Sequence, residues 1–113
     1  MLYENLEVWK RSRALAIQVY QTLSHCRDFG FKDQITRSAL SVPSNIAEGC
    51  ERMSGKERRR FLDIAKGSIG EFKTQADIGI AVGFIPDEIG KRWLAEASEL
   101  SKMLKGLIRS VKD

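Results

Sequence analysis

Histidine occurs once, at position 25, and cysteine only twice, at Cys26 and Cys50. A single histidine excludes a multi-histidine metal centre and the paired Glu-x-x-His motifs of di-iron bundles. Ser-His-Asp chemistry would have to recruit His25, which reads better as a surface residue at the end of a helix. The two cysteines match no metal-ligand spacing and read as reduced, buried thiols rather than a disulfide. Proline is equally sparse. Two residues that do not cluster leave no linker, so the expectation is one domain over 1–113. No apolar run approaches the ~20 residues of a membrane span. The opening MLYENLEVWKRSR carries charges every few residues and lacks the apolar stretch of a signal peptide. A cytoplasmic protein without membrane contact is therefore expected. GSIG falls in mid-helix rather than after a strand, so it is no phosphate-binding fingerprint. Neither an enzyme nor a cofactor is implied.

What is present is helical periodicity and positive charge. Hydrophobic residues make up 42% and charged residues 30%, and the net charge is +4, which favours acidic partners such as nucleic acid. Leu6, Trp9, Ala16, Tyr20 and Leu23 mark one face of a first helix. Asn5 is a candidate N-cap, and Gly30 a candidate end. A second phase, Phe31, Ile35, Ala39, Val42, Ile46, Cys50 and Met53, passes through Pro43 without a slip. A loop would reset the phase, so the spacing predicts one helix kinked at Pro43, against the alternative of a break at Ser41–Val42. Proline in a helix interior costs ~3 kcal/mol, so packing must offset it. Ser54 followed by Glu57 is a capping box opening the third helix. Phe61, Ala65, Ile69, Phe72, Ala76 and Ile80 form its face. Gly67, Gly70 and Gly79 inside it suggest close approach by another backbone, and Gly83 suits a C-terminal cap. Pro86 at N1 opens the fourth helix, with Ile89, Trp93, Ala97, Leu100, Leu104, Leu107 and Val111 as its seam. Nothing reads as a strand. The fold expected is all-α, an antiparallel up-down-up-down four-helix bundle with a proline-kinked second helix.

More apolar surface is present than one bundle hides. Val8, Leu15, Val19 and Cys26 form a second stripe on the first helix, and Leu62, Ile64, Ile78 and Val82 add to the third. Large leftover patches are rare on monomers. Self-association is one reading, and a wider buried face on these helices the other.

Two sets of polar residues are candidate sites. Gln34, Arg37, Ser38, Ser41, Ser44, Asn45 and Glu48 lie beside the core of the second helix, and Ser68, Glu71 and Gln75 share a face of the third. An interhelical hydrogen-bond network that sets register is the expectation, with a polar pocket as the alternative. Arg52, Lys56, Arg58, Arg59 and Arg60 surround the start of the third helix. Cations there oppose the macrodipole, whereas a phosphate would gain from the amides and guanidinium groups together. At least two of the three consecutive arginines are expected in solvent. The alternative is a solvated face neutralised by Glu51 and Glu57. Lys102, Lys105, Arg109 and Lys112 form a second basic row on the last helix, where the dipole itself favours cations.

These motifs resemble a known family. ENLEVWKRS, QITRSALSVPSNIAEG (34–49), RRRFLDIAKGSIGE (58–71) and KMLKGLI together span nearly the whole chain and resemble the four-helix-bundle proteins encoded by intervening sequences within bacterial 23S ribosomal RNA genes. Ser41, Pro43, Ser44, Asn45, Glu48, Gly49, Gly67, Ser68 and Glu71 match the pattern. Cys50 and Gly70 lie beside it, and no catalytic role carries over. The family is also similar to accessory variability proteins of diversity-generating retroelements. The resemblance implies a homopentamer and, through that second similarity, RNA or DNA and a reverse transcriptase as partners. Two functional readings follow: a nucleic-acid-binding accessory factor, and a protein–protein scaffold whose basic patches are incidental.

Overall fold

Each apolar stripe needs a facing stripe, and four helices supply them to one another. The computed structural model describes residues 2–113. A 3-10 turn, Tyr3–Asn5, precedes α1 (Glu7–Thr22), α2 (Phe29–Cys50), α3 (Gly55–Ala81) and α4 (Asp87–Ser110). No strand occurs among the described residues. Each helix packs on two others: α2 on α1 and α3, α4 on α3 and α1. The α2–α3 interface is the most extensive and α1–α4 the sparsest. The result is a four-helix bundle 45 × 22 × 20 Å in extent.

Local chemistry sets the helix ends, and several differ from the periodicity. Asn5 does not cap α1. It closes the 3-10 turn, and Leu6 takes the N-cap position without a side-chain bond. α1 stops at Thr22, well before Gly30. Asp28 then caps α2, accepting from the Phe31 amide at 3.0 Å, so Gly30 lies inside the first turn. The aspartate cap, not the glycine, punctuates this stretch. α2 ends at Cys50, and Met53 is almost fully exposed rather than part of the face. Ser54 caps α3, accepting from the Glu57 amide at 3.1 Å. Gly83 takes the left-handed conformation after α3, with φ of 85°. Pro86 is the N-cap of α4 rather than its first residue.

α2 runs unbroken through Pro43, whose ring is buried. The ring supplies no amide to the Ala39 carbonyl. In the same region Ser44 Oγ donates to the Leu40 carbonyl at 2.9 Å and Asn45 Nδ2 to the Ser41 carbonyl at 2.8 Å. The small polar residues around the proline thus bond back to the turn before it.

The core joins Ile35, Ile46, Ile69, Phe72, Trp93 and Leu100 with their neighbours. Phe72 and Trp93 meet with ring centroids 6.1 Å apart. On α1 the supposed leftover stripe is the core. Val8, Leu15 and Val19 are buried, whereas Tyr20 is 45% exposed. This removes α1 from the surplus, because its buried face is wider than a single stripe. The glycines also depart from expectation. A Cβ at Gly67 or Gly70 would meet nothing within 4 Å. At Gly79 it would meet side chains, Ile85 Cδ1 at 2.5 Å and Phe31 Cζ at 2.6 Å, not backbone.

Pro43→Ala should retain the helical circular dichroism and raise the melting temperature. The regained amide and lower helix cost, up to about 3 kcal/mol, outweigh the lost ring contacts, about 1–2 kcal/mol at ~0.8 kcal/mol per methylene. A fall in melting temperature would mean that the ring's packing dominates.

Candidate nucleic-acid interface

Three helix ends meet at one end of the bundle: the C-termini of α2 and α4 and the N-terminus of α3. Helix C-termini leave carbonyls without intrahelical partners. Arg58 Nε donates to the Arg52 carbonyl at 2.9 Å, just past α2. Arg59 Nη1 donates to the Val111 carbonyl at 3.4 Å, just past α4, and Nη2 to Asp113 at 2.7 Å. Both arginines are only partly exposed, and Arg60 alone of the three is exposed. The expectation of two exposed arginines is therefore corrected: two of them reach back to terminal carbonyls.

The other cations here divide in the same way. Arg52 pairs with Glu48 at 2.6 Å, and its guanidinium lies 4.8 Å from the Phe61 ring centroid. Arg60 approaches the same ring at 5.3 Å and pairs with Glu57 at 3.5 Å. Lys56 is exposed and makes no ion pair. On α4, Lys102, Lys105 and Arg109 are all exposed, and none has an acidic partner within ion-pairing distance. Successive residues turn ~100°, so these three lie together opposite the Trp93–Leu104 seam. The Arg59 contacts join the end of α4 to the start of α3. The fold thus brings the two predicted basic groups to one end.

Of the predicted polar network, Ser41, Asn45 and Ser68 come together. Ser41 and Ser68 hydroxyls lie 2.8 Å apart across α2–α3, and Asn45 Nδ2 donates to Ser41 Oγ at 2.8 Å. Beside them the buried Ser38 donates to Gln75 Oε1 at 2.6 Å. Ser44 bonds within α2, and Arg37 pairs with Asp33 at 3.0 Å on the surface. Glu48 serves Arg52. Gln34 and Glu71 are exposed and take no part.

Sequence reasoning missed the ties between α1 and α4. Arg11 makes two hydrogen bonds to Glu96, and Trp93 Nε1 donates to Gln18 at 3.3 Å. These residues line a cleft of about 430 Å³ between the two least-packed helices. Arg11 and Gln18 stand seven apart beside an apolar face, the one signal for such a tie. The Arg11 hydrogen bond holds the Glu96 carboxyl below the usual carboxylate range, against the opposing effect of its partial burial. Burial pushes the Cys50 thiol up.

Comparison with known proteins adds a family and a fold. The model of the 23S rRNA-intervening sequence protein family matches residues 4–106. The chain is also similar to a protein of unknown function from the S23 ribosomal protein family of Bacteroides thetaiotaomicron VPI-5482, whose crystal structure was solved at 1.70 Å resolution. The TM-score is 0.84 at 24% identity, over 91% of this chain and 99% of that one. At that identity the likeness concerns the fold. No curated protein matches the chain.

Glu96→Gln should destabilise the chain at pH 7 by about 0.5–1 kcal/mol, since the pair is about one-third exposed and screened. Glu96 titrates lower when folded. Its contribution is therefore complete above the unfolded glutamate pKa, about 4.3, and is lost as pH falls through the lower folded value. Urea melts of both proteins should differ at pH 7 and converge in strong acid. A constant difference at all pH values would assign the effect to packing.

Proposed function

We propose a function from a plain premise: the chain belongs to the 23S rRNA-intervening sequence protein family. In this reading it is a non-enzymatic cytoplasmic accessory factor that holds the phosphate backbone of RNA or DNA. The observation that carries the reading is the row Lys102, Lys105 and Arg109, exposed and without ion-pair partners on the solvent face of α4. The row is ~10 Å long at 1.5 Å per residue, so its cations can reach more than one phosphate of a strand. Lys56 and Arg60, at the start of α3, are two further exposed cations near the end of the bundle where α4 stops. No exposed aromatic belongs to this row, so bases have no stacking platform there. Recognition should be sequence-tolerant and strongly salt-dependent.

A second observation favours self-association. Ile64, Ile78 and Val82 on α3 are 41%, 50% and 57% exposed. By the ~100° step, Gly67 and Glu71 share that face. Space beside Gly67 is empty. Glycine in a helix costs ~0.5–1 kcal/mol against alanine, so Gly67 on this open face gains a rationale if a second copy packs there. The pentamer implied by the family resemblance would use this face. It is also the surface a scaffold would offer.

Replacing Lys102, Lys105 and Arg109 together with glutamine should weaken binding to a labelled single strand. It should also flatten the plot of log affinity against log salt by roughly two units, at about 0.7 per phosphate contact. Helicity should not change. Equal curves for wild type and variant would exonerate this row, and no binding by wild type at low salt would leave the scaffold reading. Separately, sedimentation equilibrium should find an oligomer at tens of micromolar, an order-of-magnitude choice matched to micromolar affinities. Gly67→Leu should shift it toward monomer without unfolding. A wild-type monomer under those conditions would remove the self-association argument.

A further inference from the structure

We infer that the segment Val111–Asp113, which follows α4, is a strap that competes in cis with nucleic-acid backbone for Arg59. The inference rests on the nucleic-acid reading for its partner and adds a control on that interface.

The strap has three observations behind it. Arg59 holds it twice, through the Val111 carbonyl and the Asp113 carboxylate. Gly55, in the first turn of α3, leaves room for it. A Cβ there would run into the Lys112 carbonyl and lie 2.9 Å from Asp113 Oδ1. The third is the kind of pair involved. Arg52–Glu48 and Arg60–Glu57 lie within one turn of sequence, and any nearby helix could form them. The Arg59–Asp113 pair spans 54 positions and exists only while the strap is docked.

The chemistry of the location explains what the strap displaces. A guanidinium beside the first amides of a helix is a favourable place for a phosphate oxygen. The Asp113 carboxylate stands there instead, as a built-in anion. Its side chain is 80% exposed, so an incoming phosphate meets it from solvent. An exposed ion pair of this kind is worth little. A strand already held by the α4 row, which leads into the strap, presents its next phosphate at high effective concentration. It should lift the strap and take Arg59. A short anion without those other contacts should not.

Asp113→Asn tests this in the full chain. Asp63→Asn serves as the charge control, because Asp63 is also exposed on α3 and makes no ion pair. Binding to a labelled single strand is measured over a salt series. Asp113→Asn should tighten binding by about fivefold, the scale of one exposed ion pair. The salt slope should stay close to that of wild type, because the bound strand holds Arg59 in both proteins. Asp63→Asn should give a smaller gain and no change in slope. Adding Arg59→Gln to Asp113→Asn should abolish the gain. If wild type binds and Asp113→Asn binds no better than the control, the strap is overturned while the nucleic-acid reading stands. If nothing binds, that reading fails, and inorganic tripolyphosphate decides the strap. Amide NMR shifts at Gly55, Lys56 and Glu57 on titration of Asp113→Asn, absent in wild type, would uphold an occluded anion site. Their absence in both proteins would overturn it.

Discussion

Helix ends carry polar groups that the helix itself cannot satisfy, and this bundle places three such ends together. The carbonyls beyond α2 and α4 face the start of α3, and Arg58 and Arg59 bond to them. That requirement explains a placement that is costly in isolation, since cations at a helix N-terminus oppose its dipole. The arginines sit at the start of α3 because the ends of two other helices are there. The same requirement limits what is left for a ligand. Lys56, Arg60 and the α4 row remain in solvent, whereas Arg58 and Arg59 are held by the fold.

Along the rest of its length the bundle is held unevenly. α2 and α3 approach closely at Gly49, where a Cβ would lie 3.3 Å from the Arg58 carbonyl, and are joined by hydroxyl bonds, Ser41 to Ser68 and Ser38 to Gln75. Small side chains permit close packing, and each buried hydroxyl must find a partner. α1 and α4 instead leave a cleft, bridged by Arg11–Glu96 and Gln18–Trp93. Pro43 belongs to the tight side. Its ring is buried, and the polar residues beside it bond to the preceding turn of their own helix.

Much of the fold was legible in the chain. The phase from Phe31 to Cys50 passed through Pro43, and α2 is continuous. The α4 seam placed Trp93, Ala97, Leu100 and Leu104 in the core. Ser54 and Gly83 act as caps. Errors arose where two local signals competed. Gly30 resembled a helix end, but Asp28 had already begun the next helix. On α1 two apolar stripes lay side by side. Only the placement of α2 and α4 decided that Val8, Leu15 and Val19 face inward while Tyr20 does not.

Of the candidate interface, residue types and helical positions were legible, but pairing was not. Spacing identifies cations on a helix, and within-helix partners such as Glu48 for Arg52 follow from it. Arg59–Asp113, Arg11–Glu96 and the carbonyl held by Arg58 depend on which helix ends meet. Sequence by itself determined four amphipathic helices, a positive balance and two basic groups, because these are properties of single segments. Tertiary structure alone decided which cations are engaged, which apolar faces stay open and that the two basic groups share one end. Those outcomes depend on distances between segments far apart in the chain, and local periodicity carries no information about such distances.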